Sequence, residues 1–222
     1  MKVVFRMRQL MLLIIIQVFK SGVFLLRLFG TTWRTIMLKL KFRNILSVDE
    51  DTQSLVRTWR NSESERMFSY DDHYISEDEH SNWLRSLQNN EKHVLYVVFF
   101  NDLPIGTVSL SNIRLKHKTA DWAFGLAEEK LRGKGVAGIM EYQLLEHAFG
   151  EFGLEKLNCE VFSTNEKVIR LHKKFGFKVE GIRRNNIIKG NERLDVILLG
   201  ILSREWEEKR EKLGKILERV KI

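Results

Sequence analysis

The sequence predicts one α/β domain in which a single mixed, mostly antiparallel sheet is flanked by helices. Segments with helical and strand periodicity alternate from Met37 to the end of the chain. The length of 222 residues suits one domain, and the only proline, Pro104, leaves no proline-rich linker to divide it. Apolar residues make up 44% and charged residues 30%, which is ordinary for a globular protein and excludes a disordered one.

The individual elements follow from hydrophobic spacing and capping signals. Ser76 and Glu79 have capping-box spacing and predict a helix that begins there. Two β-rich runs on either side of Asn101-Asp102 predict a hairpin. The predicted strands are 39–45, 93–100, 105–113, 120–127, 157–162, 177–183 and 192–201, and the predicted helices are 51–60, one from Ser76, 136–149, 166–174 and the tail from Glu205.

The net charge of +8 is concentrated in the N-terminal leader, residues 1–36, and the residues just after it. Residues 1–43 hold nine of the 37 Lys and Arg residues and no acidic residue, which leaves 28 basic against 29 acidic residues in the remainder. A nearly neutral domain argues against a nucleic-acid partner. Three interpretations of the leader stay open: a start codon assigned upstream of Met37, an interfacial or spanning membrane anchor, or a packed extension.

Two further features concern location and assembly. The single cysteine, Cys159, excludes an internal disulfide framework, so we expect a cytoplasmic protein, associated with the cytoplasmic face of a membrane if the leader is an anchor. The tail, residues 205–222, is a charged amphipathic helix that follows a domain at 37–204. Its apolar positions Trp206, Leu213 and Val220 are seven residues apart, which fits a helix docked on the domain or the seam of a homodimer.

The segment Arg132-Gly133-Lys134-Gly135-Val136-Ala137 follows a predicted strand and opens a helix. Two glycines permit a tight turn close to a ligand, and backbone N–H groups at a helix N-terminus attract anions. Arg132 and Lys134 add positive charge, so the segment suits a pyrophosphate. The P-loop pattern and the third glycine of a dinucleotide fingerprint are absent from the sequence.

Three segments in one order resemble the GNAT acetyltransferase superfamily. They are Arg132-x-x-Gly135-x-Ala137, then Val161–Asn165 with Val168–Leu171 and Phe175–Phe177, and then Asp195 with Leu199-Gly200 and Glu205-Trp206. The resemblance covers about residues 37–206. It implies the acyl-CoA N-acyltransferase fold, acetyl-CoA as co-substrate and transfer of an acetyl group to a primary amine. The implied acetyl-CoA contacts are Leu126, Ala127, Arg132, Gly133, Lys134, Gly135, Val136, Ala137 and Asn165.

The N-terminal half is similar to enzymes that acetylate a nucleotide-linked 4-amino sugar in pseudaminic acid synthesis. The residues that carry this similarity are Trp59-Arg60-Asn61, Phe68, Tyr74–Ser76, Glu79-His80 and Trp83-Leu84. The similarity makes a nucleotide sugar the expected partner and implies substrate contacts at Arg60, Asn61, Phe68 and His80. Acetylation of a protein N-terminus or a small amine, and an acyl-CoA sensor without turnover, stay open as alternatives.

The resemblance also assigns chemical roles. Direct attack by the amine needs N–H donors for the thioester oxygen, a place that Leu126 and Ala127 occupy. Relatives supply a proton to the leaving thiolate from a tyrosine at the position of His172, which together with Asn165 and Glu128 completes the expected catalytic set. Glu128, Asp121 and His73 are unranked candidates for the base. Cys159 alternates with apolar strand residues as a core thiol, and no histidine pair has metal-ligand spacing.

Overall fold

A computed structural model describes residues 40–220. The predictions for the leader, residues 1–36, concern residues outside those that the structure describes. The strands are β1 (Leu40–Asn44), β2 (Val94–Phe100), β3 (Leu103–Arg114), β4 (Thr119–Leu126), β5 (Lys156–Phe162), β6 (Lys178–Lys189) and β7 (Glu192–Leu202). The α-helices are α1 (Glu50–Arg60), α2 (Glu63–Arg66), α3 (Glu77–Leu87), α4 (Val136–Glu146), α5 (Glu166–Phe175) and α6 (Ser203–Leu217).

The seven strands form one sheet in the order β1-β2-β3-β4-β5-β7-β6. Every neighbouring pair is antiparallel except β4 and β5, which are parallel. The parallel pairing covers only three residue pairs, from Thr119 with Lys156 to Asp121 with Asn158. Beyond them the two strands separate and leave a wedge in the middle of the sheet. The predicted fold class, a mixed and mostly antiparallel sheet flanked by helices, is confirmed.

A β-bulge at the end of β4 accompanies this separation. The N–H groups of Ala127 and Glu128 both donate to the carbonyl of Ile105, at 2.9 and 3.1 Å. In a β-bulge, two residues of one strand lie opposite a single residue of its partner, and the strand with the extra residue bends. Gly106 lies beside the bulge because a Cβ there would stand 2.1 Å from the carbonyl oxygen of Gly125.

The main core lies between the sheet and helices α4, α5 and α6. Helix α4 is buried nearly all round, with Val136, Ile139, Met140 and Leu144 fully enclosed. The tail helix α6 is part of this core, since Trp206, Leu213 and Leu217 belong to its buried cluster. The apolar stripe of the tail therefore faces its own domain, as the docked-helix interpretation expects. A second cluster, under α1 and α3, packs against the other face of the sheet.

Most element boundaries agree with the sequence predictions within a few residues, and the exceptions have local causes. The predicted helix 136–149 changes at His147 into a π-helical turn, His147–Glu151, before the chain reverses at Gly153, which has a φ of 62°. Strand β6 continues beyond the predicted residue 183 to Lys189, because β7 pairs with it across an irregularity at 183–187. Helix α2 and the 3₁₀ turns Ile45–Ser47, Leu115–His117 and Glu129–Leu131 are too short to produce a period. None of the helices within residues 40–220 combines the length and apolar character needed to span a bilayer.

Candidate active site

The wedge between β4 and β5 presents backbone groups that no strand satisfies. Antiparallel partners exchange hydrogen bonds at alternate residues, and Ala127, opposite Ile105, is one of the bonded positions. The N–H of Leu126 therefore points away from β3 and into the wedge. A donor in this place suits the carbonyl oxygen of a bound thioester. The N–H of Ala127 is engaged with Ile105, so the expectation that Ala127 shares this role is corrected.

The glycine-rich turn, residues 132–135, follows β4 and leads into α4. Gly133 and Gly135 have φ values of 77° and 81°, a region that other residues adopt at a cost. Gly135 is the N-cap of α4, and no side chain caps the helix, so the N–H groups of its first turn are available to an anion. These features fit the pyrophosphate of a coenzyme A.

The two basic residues of the turn behave differently. Arg132 folds back, and its Nε and Nη2 each lie 3.3 Å from the carbonyl oxygen of Leu126. It therefore ties the turn to the end of β4. Lys134 is exposed and available to a phosphate. On the opposite side of the turn, a Cβ built on Gly135 would stand 3.0 Å from Val220, so the end of the chain lies against this residue.

His172, on α5, is buried rather than placed on the helix surface. Its side chain is 3% exposed, and Nδ1 lies 3.0 Å from Oε1 of Glu141 on α4. The ring packs against Trp122 and Phe124 of β4, with centroids 5.0 and 6.0 Å away. Both residues follow the last β4–β5 pair, so His172 lies where the wedge opens. His172 is therefore a buried residue beside the wedge.

Asn165 is the N-cap of α5, but its side chain makes no capping hydrogen bond. It follows directly on β5 and the turn that ends the strand, where its backbone N–H donates to the carbonyl of Phe162 at 2.8 Å. The amide is half-buried and not used by the helix. The amide is therefore available to a ligand beside β5, where the resemblance implies a contact with acetyl-CoA.

The opposite face of β4 carries a small pocket lined by Trp59, Arg60, Glu65, Gly125 and Ala127, among others. Successive residues of a strand face opposite sides, so Gly125 is on the reverse face from Phe124 and His172. A Cβ on Gly125 would stand 3.0 Å from Oε2 of Glu65. The glycine thus makes room for a carboxylate beside the backbone of β4.

Glu65 is a candidate general base that the sequence analysis missed. It is half-buried, and burial raises its pKa while the nearby Arg132 opposes the rise. A carboxylate with a raised pKa beside a reaction site has the properties of a general base. Its only sequence signal is a glutamate within the run Glu63–Arg66, where it looks like a solvent-exposed charge.

The three base candidates from the sequence lie elsewhere. Glu128 is exposed, and its side chain accepts from the N–H of Lys130 in a 3₁₀ turn. Asp121 is in the closed part of the β4–β5 pairing, where Asn112 and Asn158 donate to its two oxygens at 2.7 and 3.1 Å. None of the three lines the pocket beside Gly125.

The third candidate, His73, is exposed between Asp71 and Glu79, at 2.7 and 3.1 Å. Asp71, and then Glu79, raise its pKa, which favours the protonated form. Neither property suits a proton acceptor at a buried reaction site.

Two of the four expected substrate residues have structural partners instead. His80 is buried, and its Nε2 donates to the carbonyl of Gln53 at 2.9 Å, joining α3 to α1. Asn61 accepts from the N–H of Ile75 and donates to its carbonyl, at 2.8 and 2.9 Å, which anchors the loop before α3. Phe68 is exposed on that loop, and Arg60 lines the pocket. The hydrogen bond to Gln53 holds His80 between α3 and α1, so its side chain does not reach the pocket. The expectation that His80 contacts the substrate is corrected.

Cys159 is buried in the core, where burial raises its pKa well above the ordinary value. Such a thiol stays protonated and is a poor nucleophile. In residues 40–220 no three His, Cys, Asp or Glu side chains are grouped so as to hold a metal ion.

The wedge between β4 and β5 and the uncapped helix after the glycine-rich turn fit an acyl-CoA-dependent acyltransferase. Residues 39–178 match the family model described as Acetyltransferase (GNAT) domain, and the chain belongs to this family. It is an acetyl-CoA-dependent N-acetyltransferase that acetylates an amine.

The chain is similar to several named acetyltransferases. The acetyltransferase PseH of Campylobacter jejuni is 27% identical over 141 residues, which cover 63% of this chain and 85% of PseH. Spermidine N(1)-acetyltransferase of Escherichia coli is 33% identical over 86 residues, but these cover only 39% of this chain and 46% of that enzyme. Spermidine N-acetyltransferase of Vibrio cholerae, solved with CoA and spermine, has a TM-score of 0.71 at 22% identity over 77% of this chain and 99% of its own, which establishes the shared fold.

Proposed function

We propose that the acceptor is the primary amine of a nucleotide-activated amino sugar. Arg60 carries this proposal. Its guanidinium is 4.9 Å from the ring centroid of Trp83, lines the acceptor pocket and makes no hydrogen bond or ion pair within residues 40–220. Arg60 is exposed by surface area, so its charge is accessible to a ligand; nearby protein atoms lower its pKa, and Asp71 opposes this shift. Such a cation favours an anionic ligand such as a diphosphate and disfavours a polyamine.

A loop rich in aromatic residues continues the acceptor side. Phe68, Tyr70 and Tyr74 are exposed between α2 and α3. Their rings offer stacking surfaces for a base or a sugar. The loop is held to the sheet by Lys189, whose ammonium is 3.1 Å from Asp72. Tyr70 adds a second attachment through its hydroxyl, which donates to Glu160. These surfaces suit a ligand larger than a simple amine.

The chemistry divides between the two faces of β4. On the acceptor face, Glu65 accepts the proton that the attacking nitrogen loses and passes it to water. In the wedge, the N–H of Leu126 binds the thioester oxygen as this oxygen gains negative charge. On the other face, the C–S bond breaks, its electron pair goes to sulfur, and His172 Nε2 protonates the sulfur before regaining a proton from water.

The proposal also draws on the similarity to PseH, which extends over 85% of that enzyme. Glu128, an expected catalytic residue, receives no step in this scheme because it is exposed and caps a turn. Acetylation of a protein N-terminus or a small amine, and acyl-CoA sensing without turnover, become outcomes of the test.

A thiol-release assay tests the proposal. Purified protein receives acetyl-CoA and one of three acceptors: a UDP-linked 4-amino sugar, spermidine or a short peptide with a free N-terminus. We expect kcat/KM for the nucleotide sugar to exceed the others by at least ~10²-fold, because only this ligand carries a diphosphate for Arg60. The same amino sugar without its nucleotide is the matched control and should react poorly. Preference for spermidine or the peptide contradicts the sugar assignment, and so does the absence of turnover with the nucleotide sugar.

A further inference from the structure

Glu141 is a carboxylic acid in the interior of the domain. It lies on α4, is 0% exposed, and has His172 as its hydrogen-bond partner through Oε1. Its other oxygen, Oε2, is buried without a partner. Burial raises the pKa of Glu141, and His172 opposes the rise. Burying such a group is expensive, and an apolar residue of similar volume is often at least as stable.

The surroundings isolate this pair. The imidazole of His172 packs against Trp122, Phe124 and Phe177, with centroids 5.0, 6.0 and 5.3 Å away. Two other titratable groups act in this region. Cys159 on β5 is buried and senses the charge of Glu141, and Asp121 on β4 is engaged by two asparagine amides. Glu141 is therefore the carboxylate in contact with the imidazole.

The hydrogen bond fixes which ring nitrogen faces the wedge. Because Oε1 of Glu141 occupies Nδ1 at 3.0 Å, the second nitrogen, Nε2, is the position from which a proton can be exchanged with the wedge. Nε2 makes no hydrogen bond within residues 40–220 and is not among the fully buried polar atoms that lack a partner. The small exposed part of the side chain therefore includes this atom. The ring lies beside Phe124, which is two residues before Leu126 on β4.

We propose that Glu141 is the positioning residue for His172, and that the two act as a carboxylate–imidazole pair which holds the proton for the departing thiolate. The proposal rests on the proposed role of His172 in acetyl transfer. Glu141 orients the ring and stabilises the imidazolium. His172 alone touches the reacting sulfur, to which the Nε2 proton moves as the C–S bond breaks.

Glu141→Gln tests the pair with little change in volume. In single-turnover reactions with acetyl-CoA and the fastest of the three acceptors, we expect the rate to fall roughly 10²-fold while the Kd of acetyl-CoA changes less than about twofold. The high-pH limb of the rate profile should move to lower pH, because the imidazolium has lost its carboxylate. An unshifted limb with the wild-type rate would overturn the proposal.

Glu146→Gln is the matched control. Glu146 is on the same helix and largely buried, but it accepts from Trp206 and Arg210, each at 2.7 Å, and has no contact with His172. Its loss should lower thermal stability and leave the high-pH limb in place. If Glu146→Gln shifted the limb as Glu141→Gln does, the effect would belong to helix packing, and the proposal would fail.

His172→Tyr separates positioning from structure. A phenol protonates the thiolate without a carboxylate partner, so adding Glu141→Gln to His172→Tyr should change the rate by less than about threefold. A loss equal to that in the wild-type background would show a purely structural role for Glu141. Wild-type activity in His172→Phe would instead remove the acid assigned under the proposed function.

A measurement independent of any acceptor is the ¹⁵N NMR spectrum of the His172 imidazole. We expect Nδ1 to be protonated in the wild-type protein at neutral pH and the spectrum to change in Glu141→Gln. A neutral ring with its proton on Nε2 alone would overturn the proposal, even if the protein turned over no amine.

Discussion

The cofactor side and the acceptor side of the site, on the two faces of β4, are built from different kinds of groups. On the cofactor side, the working groups are mostly backbone: the N–H of Leu126, the turn at residues 132–135 and the first turn of α4. On the acceptor side they are side chains, Arg60 and Glu65, which α1 and α2 bring to β4 from about 60 positions earlier in the chain. A backbone site is sensitive to φ and tolerant of side-chain chemistry, whereas a side-chain site has the opposite sensitivities.

The largest effect that this contrast predicts is that of Glu65→Gln. The amide fills the same space beside Gly125 but accepts no proton, so kcat should fall by about 10²–10³-fold with acetyl-CoA affinity unchanged. In the wild-type enzyme, protonation of Glu65 removes the base. Because burial raises its pKa above the ordinary value, activity should be lost as the pH falls through this raised pKa, at a higher pH than for an exposed glutamate.

Glu63→Gln is the control for this experiment, because Glu63 is an exposed acid on the same short helix. It should leave both kcat and the low-pH limb unchanged. A wild-type pH profile in Glu65→Gln would show that another group accepts the proton.

Arg60→Gln is expected to act on substrate affinity rather than on chemistry. Loss of the guanidinium should raise the KM for the UDP-linked amino sugar by roughly 10–10²-fold, the range for one charge-assisted contact, and leave the KM for acetyl-CoA unchanged. Arg57→Gln is the matched control, since Arg57 is one turn earlier and already pairs with Glu77 at 2.8 Å. An equal KM for the amino sugar in the Arg60 and Arg57 variants would contradict the assignment of Arg60 as the anion-binding residue.

The contrast also explains how far the sequence could be interpreted. The elements of the sheet and the turn at residues 132–135 were predictable because both depend on local signals, namely hydrophobic period and paired glycines before a helix. Glu65 and Glu141 were not, because each is a single acid whose role arises only when tertiary packing brings it to Gly125 or to His172.

His80 shows the reverse error. The resemblance to amino-sugar acetyltransferases implies a substrate contact at His80, yet helix α3 turns this side chain inward, where it donates to the carbonyl of Gln53. The separation of β4 from β5 also could not be predicted from local sequence signals. It depends on where the hydrogen bonding between the two strands ends.

On the backbone side, Gly135→Ala tests φ with the smallest added side chain. Its left-handed φ of 81° disfavours alanine, and the new Cβ would stand 3.0 Å from Val220. We expect the Kd of acetyl-CoA to rise about 10-fold, because the turn can no longer hold its N–H groups on the pyrophosphate.

Gly133→Ala has a similar φ, of 77°, and open space around the new Cβ. It therefore reports the effect of φ strain alone. Adding Val220→Ala to Gly135→Ala removes the crowding and not the strain. If this double variant regained full affinity, crowding by the end of the chain rather than the backbone conformation would be the cause.

The smallest expected effect is that of removing the leader. All the groups assigned to the site, on both faces of β4, lie between Arg60 and His172, and β1 begins at Leu40. A chain that starts at Met37 retains every strand of the sheet and every one of these groups. We therefore expect its kcat and the KM for both substrates to agree with those of the full chain within about twofold.

Vesicle flotation and thermal unfolding of the two chains sharpen this last prediction. If the nine basic residues among positions 1–43 act together with the apolar stretches at 10–19 and 23–29 as an anchor, the full chain should float with anionic vesicles and the shorter chain should not. Equal flotation of the full and the shorter chain would contradict the interpretation of the leader as a membrane anchor. A Tm that falls by more than about 5 °C on truncation would show that the leader packs on the domain, since a shift of that size in a domain this long corresponds to more than 1 kcal/mol.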